Sequence, residues 1–258
     1  MIVECLYIII ILLFIHINLP TFIYNATQNK GLPTIDILDP KIAKTLNTGD
    51  ILLFKNCNYC ALNGNPLHDA SERVIKGAFN AARFNLDGHF YTHVAIIICN
   101  NGVPFIYHIN DCIFYDNLTQ THRKMHPSMC SLSYINKYSG MIHLYKYTRQ
   151  RTNTLAPSRL QQELELVPFL VKNKDKHYPP MSDMICVNGL GLWKQNPNNW
   201  ACTDLVENVW KELGIIDKCK QGATMDDVIS VVKSRKEYAS PIIVKNKCYN
   251  SNHYECST

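Results

Sequence analysis

Cys202 is the side chain whose setting most invites chemistry. It stands where a turn-rich segment, Lys194 to Asn199 with Pro197, gives way to a run in which Leu205, Val206, Val209, Trp210 and Leu213 recur at helical spacing. Gly214 follows where a C-terminal cap belongs, so the spacing predicts a helix over Cys202 to Leu213. A thiol on the first turn of a helix faces unpaired backbone N–H groups and the positive end of the macrodipole. Both stabilise the thiolate, the form of cysteine that attacks carbonyls. Position alone also fits a buried structural cysteine, and the chain carries 11 cysteines, so a nucleophilic reading needs a base elsewhere.

Two histidines could supply it. His93 opens the apolar run His93 to Cys99, His108 lies near the end of the run Val103 to Ile109, and Asn100-Asn101-Gly102 separates the two. This pattern predicts a β-hairpin. With Asn101-Gly102 as a two-residue turn, His108 faces Ala95 and His93 lies one diagonal step away on the same side, within reach of a shared site. A three-residue turn would send the histidines to opposite faces. Pro104 predicts a free side near the start of the second strand.

Other elements must hold these residues in place. Asn47-Thr48-Gly49-Asp50 reads as a turn and Ile51 to Phe54 as a buried strand. Asp69-Ala70-Ser71-Glu72 resembles a capping box that starts a helix ending near Asp87-Gly88. The stretch from Asp111 to Ser139 reads as a polar loop, and Met141 to Tyr147 as a strand. Pro157 opens a helix that Pro168 should bend or break, with Lys176-His177-Tyr178-Pro179-Pro180 ending the segment. Thr224-Met225-Asp226-Asp227 predicts a further helix start, and Ile242-Ile243-Val244 a last short strand. His68, His89 and His143 are read as structural or exposed.

Composition bounds the rest. At 258 residues, 47% hydrophobic and 18% charged, the chain can bury one substantial core. The net charge of +5 is mild and its lysines and arginines are scattered, which argues against a nucleic-acid partner. Residues 1–24 form an apolar segment, densest from Leu6 to Leu19, that just reaches the length of a membrane span. Glu4 precedes it and the first basic residue, Lys30, follows it. This favours a single-pass anchor with the globular part in the cytosol or an equivalent interior over a signal peptide cleaved from a secreted protein. Residues 25–47 then read as a linker and 246–258 as a cysteine-containing tail. The odd number and irregular spacing of the cysteines fit free thiols better than a disulfide framework. Cys57 and Cys60 make a CxxC which, with Cys248, His253 and Cys256, could form a split zinc site, with loop cysteines as the plainer reading.

Three motifs in order, Thr48-Gly49-Asp50-Ile51-Leu52-Leu53-Phe54, Thr92-His93-Val94-Ala95-Ile96 and Ala201-Cys202-Thr203-Asp204-Leu205-Val206, resemble the circularly permuted branch of the NlpC-type papain-like hydrolases. That group contains bacterial YiiX-like proteins, poxvirus relatives and, more distantly, lecithin retinol acyltransferase. The resemblance implies an α+β papain-like domain over residues 48–245 with an antiparallel sheet and a catalytic helix. It implies Cys202 as nucleophile, His93 as general base and then acid, and the residue at position 108 as the group that orients the imidazole. Position 108 is histidine, as in the acyltransferase-like branch, where YiiX-like relatives usually carry glutamate. Pro179 stands where an aspartate would follow Tyr178. Tyr178, Asp50 and Trp200 are the candidate substrate or cleft residues.

The expected activity is a thiol-dependent hydrolase or acyltransferase acting on an amide, ester or thioester through an acyl-cysteine, with no cofactor or metal. A peptide, a peptidoglycan stem or a lipid acyl chain would serve as substrate. Two other readings stand beside it: a catalytically inactive membrane-tethered binding module that keeps the cleft, and a small zinc or thiol module built from Cys57, Cys60, Cys248 and Cys256.

Overall fold

A computed structural model describes residues 31–55, 91–110, 113–138, 141–148, 159–179, 196–220 and 222–246. The apolar segment 1–24, the helix expected from Asp69, and Cys57, Cys60, Cys248, His253 and Cys256 lie outside the described residues. Among the described residues no helix is long and apolar enough to cross a membrane, and no group of three or more His, Cys, Asp or Glu side chains is placed to hold a metal. The described residues from Thr34 onward belong to one compact unit.

The unit is α+β, built on a mostly antiparallel sheet. In chain order its elements are β1 (Thr34–Ile35), α1 (Pro40–Ala43), β2 (Ile51–Lys55), β3 (Tyr91–Asn100), β4 (Val103–His108), β5 (Ile113–Asp116), β6 (Thr121–Lys124) and β7 (Ser128–Ser131). A 3-10 turn (Leu132–Lys137), β8 (Met141–Tyr145), α2 (Arg159–Asn173), α3 (Cys202–Glu212), α4 (Met225–Ser234) and β9 (Ile242–Val244) follow. The strands line up as β1-β9-β8-β2-β3-β4-β7, with β5 and β6 as a separate hairpin. Only β1 and β9 pair in parallel.

Two hydrophobic clusters sort the strand residues by alternation. Ile51, Leu53, Val94, Ile96 and Ile98 face one way, against Leu166 and Leu170 of α2, Leu205, Val206, Val209 and Trp210 of α3, and Val228, Ile229 and Val232 of α4. Leu52, Phe54, Ala95, Ile97, Cys99 and Ile106 face the other way, against Ile37, Leu46, Leu132 and Ile135. The sheet is therefore covered on both sides, which is why β2 and the middle of β3 read as unbroken apolar runs instead of alternating ones.

The hairpin has the expected register. Asn100 pairs Val103 and Ile96 pairs Tyr107, and Asn101 and Gly102 both adopt positive φ, 50° and 77°. This is the geometry of the two-residue turn that matches strand twist. Pro104 precedes the first residue that pairs with β7, Phe105, so its missing N–H costs the sheet nothing.

Two expectations need correction. The stretch read as a polar loop contains β5, β6, β7 and the 3-10 turn. Its order comes from the fully buried Asp116, whose carboxylate accepts from the backbone N–H of Leu118, Thr119 and Met129 and from the Thr119 hydroxyl. Contacts of this kind leave no period in the sequence. Of the bend or break expected at Pro168, a break is absent: α2 runs through it. Pro168 and Leu164, whose carbonyl loses its helical donor to the proline ring, both lie exposed, so water can take that donor's place.

Glycine positions give a graded test. At Gly49 φ is +102° and an added Cβ would meet Tyr147 Cδ1 at 3.0 Å, whereas at Gly102 φ is +77° with open space around it. Gly102→Ala should cost about 1 kcal/mol of unfolding free energy from backbone strain alone, and Gly49→Ala about 2 kcal/mol or more. Urea denaturation measures both, and the reverse order would contradict the turn geometry.

Candidate active site

The hairpin delivers the two histidines to one another. His93 Nε2 lies 3.2 Å from His108 Nδ1, with the rings edge to face at 73° and their centroids 5.4 Å apart. Phe54, paired with His93 across β2 and β3, packs on its ring at 5.1 Å, and Tyr138 lies parallel to it at 6.1 Å. Phe54 and Tyr138 belong to the Ala95 side of the sheet, as alternation requires for His93 and His108. The register shifts between Phe54 and Lys55, whose partners are His93 and Tyr91, so Thr92 is an extra residue that bends the start of β3.

His108 is sealed from solvent. Phe114 meets its ring edge to face at 4.4 Å, and Cys130 Sγ lies 3.4 Å from its Nε2. Burial pushes His108 down from the ordinary histidine value of 6.5 to about 3, so it serves His93 as a neutral ring. The same burial pushes the Cys130 thiol up, which keeps its proton on. Nothing in the spacing of the sequence singles out Cys130.

Cys202 is the first residue of α3, as its spacing predicts, and is buried within the cluster on the helical side of the sheet. Two tethers orient α3. At its far end Trp210 Nε1 donates to the Tyr238 hydroxyl, which donates to the Gly49 carbonyl, and Gly49 N–H in turn donates to Ile97 O. At its near end Trp200 N–H donates to His177 O and Tyr178 N–H to Met125 O, three residues before Ser128, which pairs His108. These bonds hold the far end of α3 to Gly49 and Ile97 and tie the segment ahead of its near end to Met125, close in sequence to β7.

That N-terminus is not a bare positive pole. Asp204 accepts from Ala201 N–H at 2.8 Å and from Ala223 N–H at 3.1 Å, and Thr203 donates to Ala223 O. A buried carboxylate in the first turn offsets part of the dipole's pull on a thiolate. A thiolate at this position would therefore need more help from a nearby cation than helix position alone suggests.

The remaining candidates fall into two groups. Trp200 precedes the helix, buried, stacked on Phe169 and capped by the Lys176 ammonium. Tyr178 packs against the same cluster and follows His177, whose carbonyl accepts from Trp200 N–H, so both lie in the segment pair just ahead of α3. Asp50 lies elsewhere. Its carboxylate accepts from Asn47 and Tyr147 N–H, and its carbonyl accepts from Ile97 N–H. Four residues of β3 put it about 13 Å along the strand from His93. His143, read as structural or exposed, is buried, with Tyr91 Oη at 2.6 Å from Nδ1 and Met141 Sδ at 3.1 Å from Nε2. The Tyr107 hydroxyl is buried with no hydrogen-bond partner among the described residues, and its burial keeps it protonated.

His108 makes stability depend on pH. The unfolded chain takes up a proton near pH 6.5 and the folded chain only near 3, so the stabilisation is whole above about 6.5 and drains away as pH falls toward 3. Unfolding free energy should drop in this window by up to about 1.4 kcal/mol per pH unit on account of this side chain. His108→Gln should flatten the slope in denaturation curves taken from about pH 7 to about pH 4, and an unchanged slope would contradict the buried neutral ring.

No family model matches the chain, and no curated protein matches it.

Proposed function

We propose that the protein is a thiol hydrolase or acyltransferase of papain-like, circularly permuted organisation. On this reading Cys202 is the nucleophile and His93 the base, with His108 orienting His93. What supports the reading is a thiol on the first turn of α3, whose near end is tied through His177 and Tyr178 to Met125, together with two hydrogen-bonded imidazoles on the hairpin. His93 takes the thiol proton, and the thiolate attacks the carbonyl of an amide, ester or thioester. The oxyanion forms beside the Cys202 backbone N–H, and the imidazolium returns its proton to the leaving group. Water or a second acceptor then releases the acyl group. Trp200 and Tyr178 are the proposed walls for a peptide, peptidoglycan-stem or lipid acyl substrate, and the apolar segment 1–24 is the proposed membrane tether.

One observation favours a second reading, a binding module that keeps the fold without the chemistry. Cys202 packs in the cluster on the helical side, while the His93 ring lies among residues of the other side.

Incubation with activated acyl esters, acyl thioesters and peptide thioesters, followed by mass spectrometry of the digested protein, separates the two. The thiol reading expects a covalent acyl adduct on Cys202, its loss in Cys202→Ser, and at least a hundred-fold slower acylation in His93→Ala. Equal, slow labelling of Cys99, Cys130, Cys202 and Cys219 would establish the binding module instead.

A further inference from the structure

Both ring nitrogens of His108 are engaged, Nδ1 with His93 Nε2 at 3.2 Å and Nε2 with Cys130 Sγ at 3.4 Å. The three groups form a line from Cys130 on β7, through His108 on the neighbouring β4, to His93 on β3. A neutral imidazole carries one N–H, so His108 donates at one of these contacts and accepts at the other. Two arrangements follow. In one, the Cys130 thiol donates to His108 Nε2, His108 donates from Nδ1 to His93 Nε2, and the proton of His93 must sit on Nδ1. In the other, His108 donates from Nε2 to the sulfur, and His93 donates from Nε2 to the lone pair of His108 Nδ1.

We propose that Cys130 is a positioning residue for His93: its sulfur accepts from His108 Nε2–H, turning the His108 Nδ1 lone pair toward His93 and leaving Nδ1 of His93 as the basic nitrogen. This assignment rests on the thiol reading above, in which His93 takes up a proton. The argument is one of charge. A His93 that has taken up a proton is a cation with N–H on both nitrogens, and its Nε2–H needs an acceptor at His108 Nδ1. The second arrangement supplies that acceptor with no proton moved. The first aims a second N–H at the cation and opposes its formation. A small apolar residue at position 130 would leave Nε2–H of His108 buried without a partner, and turning to the Nδ1–H tautomer relieves that cost. Cys130 thus acts as the distal stop of a three-member chain. The weak acceptance of a thiol suffices because Phe114 and the surrounding sheet exclude competing water.

Nitrogen NMR of the full chain labelled with 15N-histidine reads the tautomers directly. At pH 7 the wild type should show His108 with a protonated Nε2 and an unprotonated Nδ1. Cys130→Ala should move the proton to Nδ1, and Cys130→Ser, whose hydroxyl oxygen also accepts, should restore it. Alkylation of Cys202 at pH 6 should fall at least ten-fold in Cys130→Ala and recover in Cys130→Ser. A wild-type His108 protonated on Nδ1, or a tautomer unchanged between wild type and Cys130→Ala, would overturn the assignment whatever the folding of the variants. Predicted tautomers with a Cys202 no more reactive than Cys219 would uphold it and overturn thiol catalysis instead.

Discussion

Strand side chains alternate, so two imidazoles on neighbouring strands can meet only if the register between the strands is right to the residue. Here the Asn101-Gly102 turn sets it. Both residues hold positive φ, the loop closes with Asn100 opposite Val103, and every pair beyond it is then determined. One further residue in the turn would carry His108 to the helical side of the sheet, away from His93 and from Phe114. The 3.2 Å contact between the rings is thus a consequence of the turn as much as of the histidines. The apolar surroundings that hold His108 neutral follow from the same register.

The second constraint is the pair of tethers on α3. Its apolar face, with Leu205, Val206, Val209 and Trp210 wholly buried, contributes about 1.5 to 3 kcal/mol per side chain, but burial alone does not say which way a helix points. The Trp210–Tyr238–Gly49 chain at one end and the His177 and Tyr178 backbone bonds at the other decide that. Gly49 links this tether to the sheet, because its N–H bonds β3 at Ile97 and its carbonyl receives Tyr238. Asp204 ties the start of α3 to Ala223, just ahead of α4. This fixes the position of Cys202 while weakening the electrostatic help that a helix N-terminus gives a thiolate.

Elements with local signatures were legible in the sequence. Asn-Gly between apolar runs announced the hairpin and its register. The spacing from Cys202 to Gly214 marked α3, which ends at Glu212 with Gly214 at φ +67°. Thr224 and Asp227 marked the capping box of α4. What stayed illegible depends on contacts distant in the chain. β7 pairs with β4 although nothing in Ser-Met-Cys-Ser reads as a strand, and the buried carboxylate of Asp116 orders the turns before it. Asp50 was singled out within a motif, yet its carboxylate holds Tyr147, which lies 97 positions away. Cys130 carries no pattern that would set it apart from the other cysteines, and its meaning lies wholly in the ring nitrogen 3.4 Å away.

The central claim is that Cys202 and His93 titrate as a pair. The rate of Cys202 alkylation by iodoacetamide, followed from about pH 5 to about pH 10 in the wild type and in His93→Ala, tests it most directly. On this account, with Asp204 opposing the helix dipole, a thiolate at neutral pH requires the imidazole. The wild-type profile should therefore rise with an apparent pKa below about 7, and that of His93→Ala should shift upward by at least about one unit. Superimposable profiles with an apparent pKa at or above the ordinary thiol value of about 8.5 would contradict the pairing.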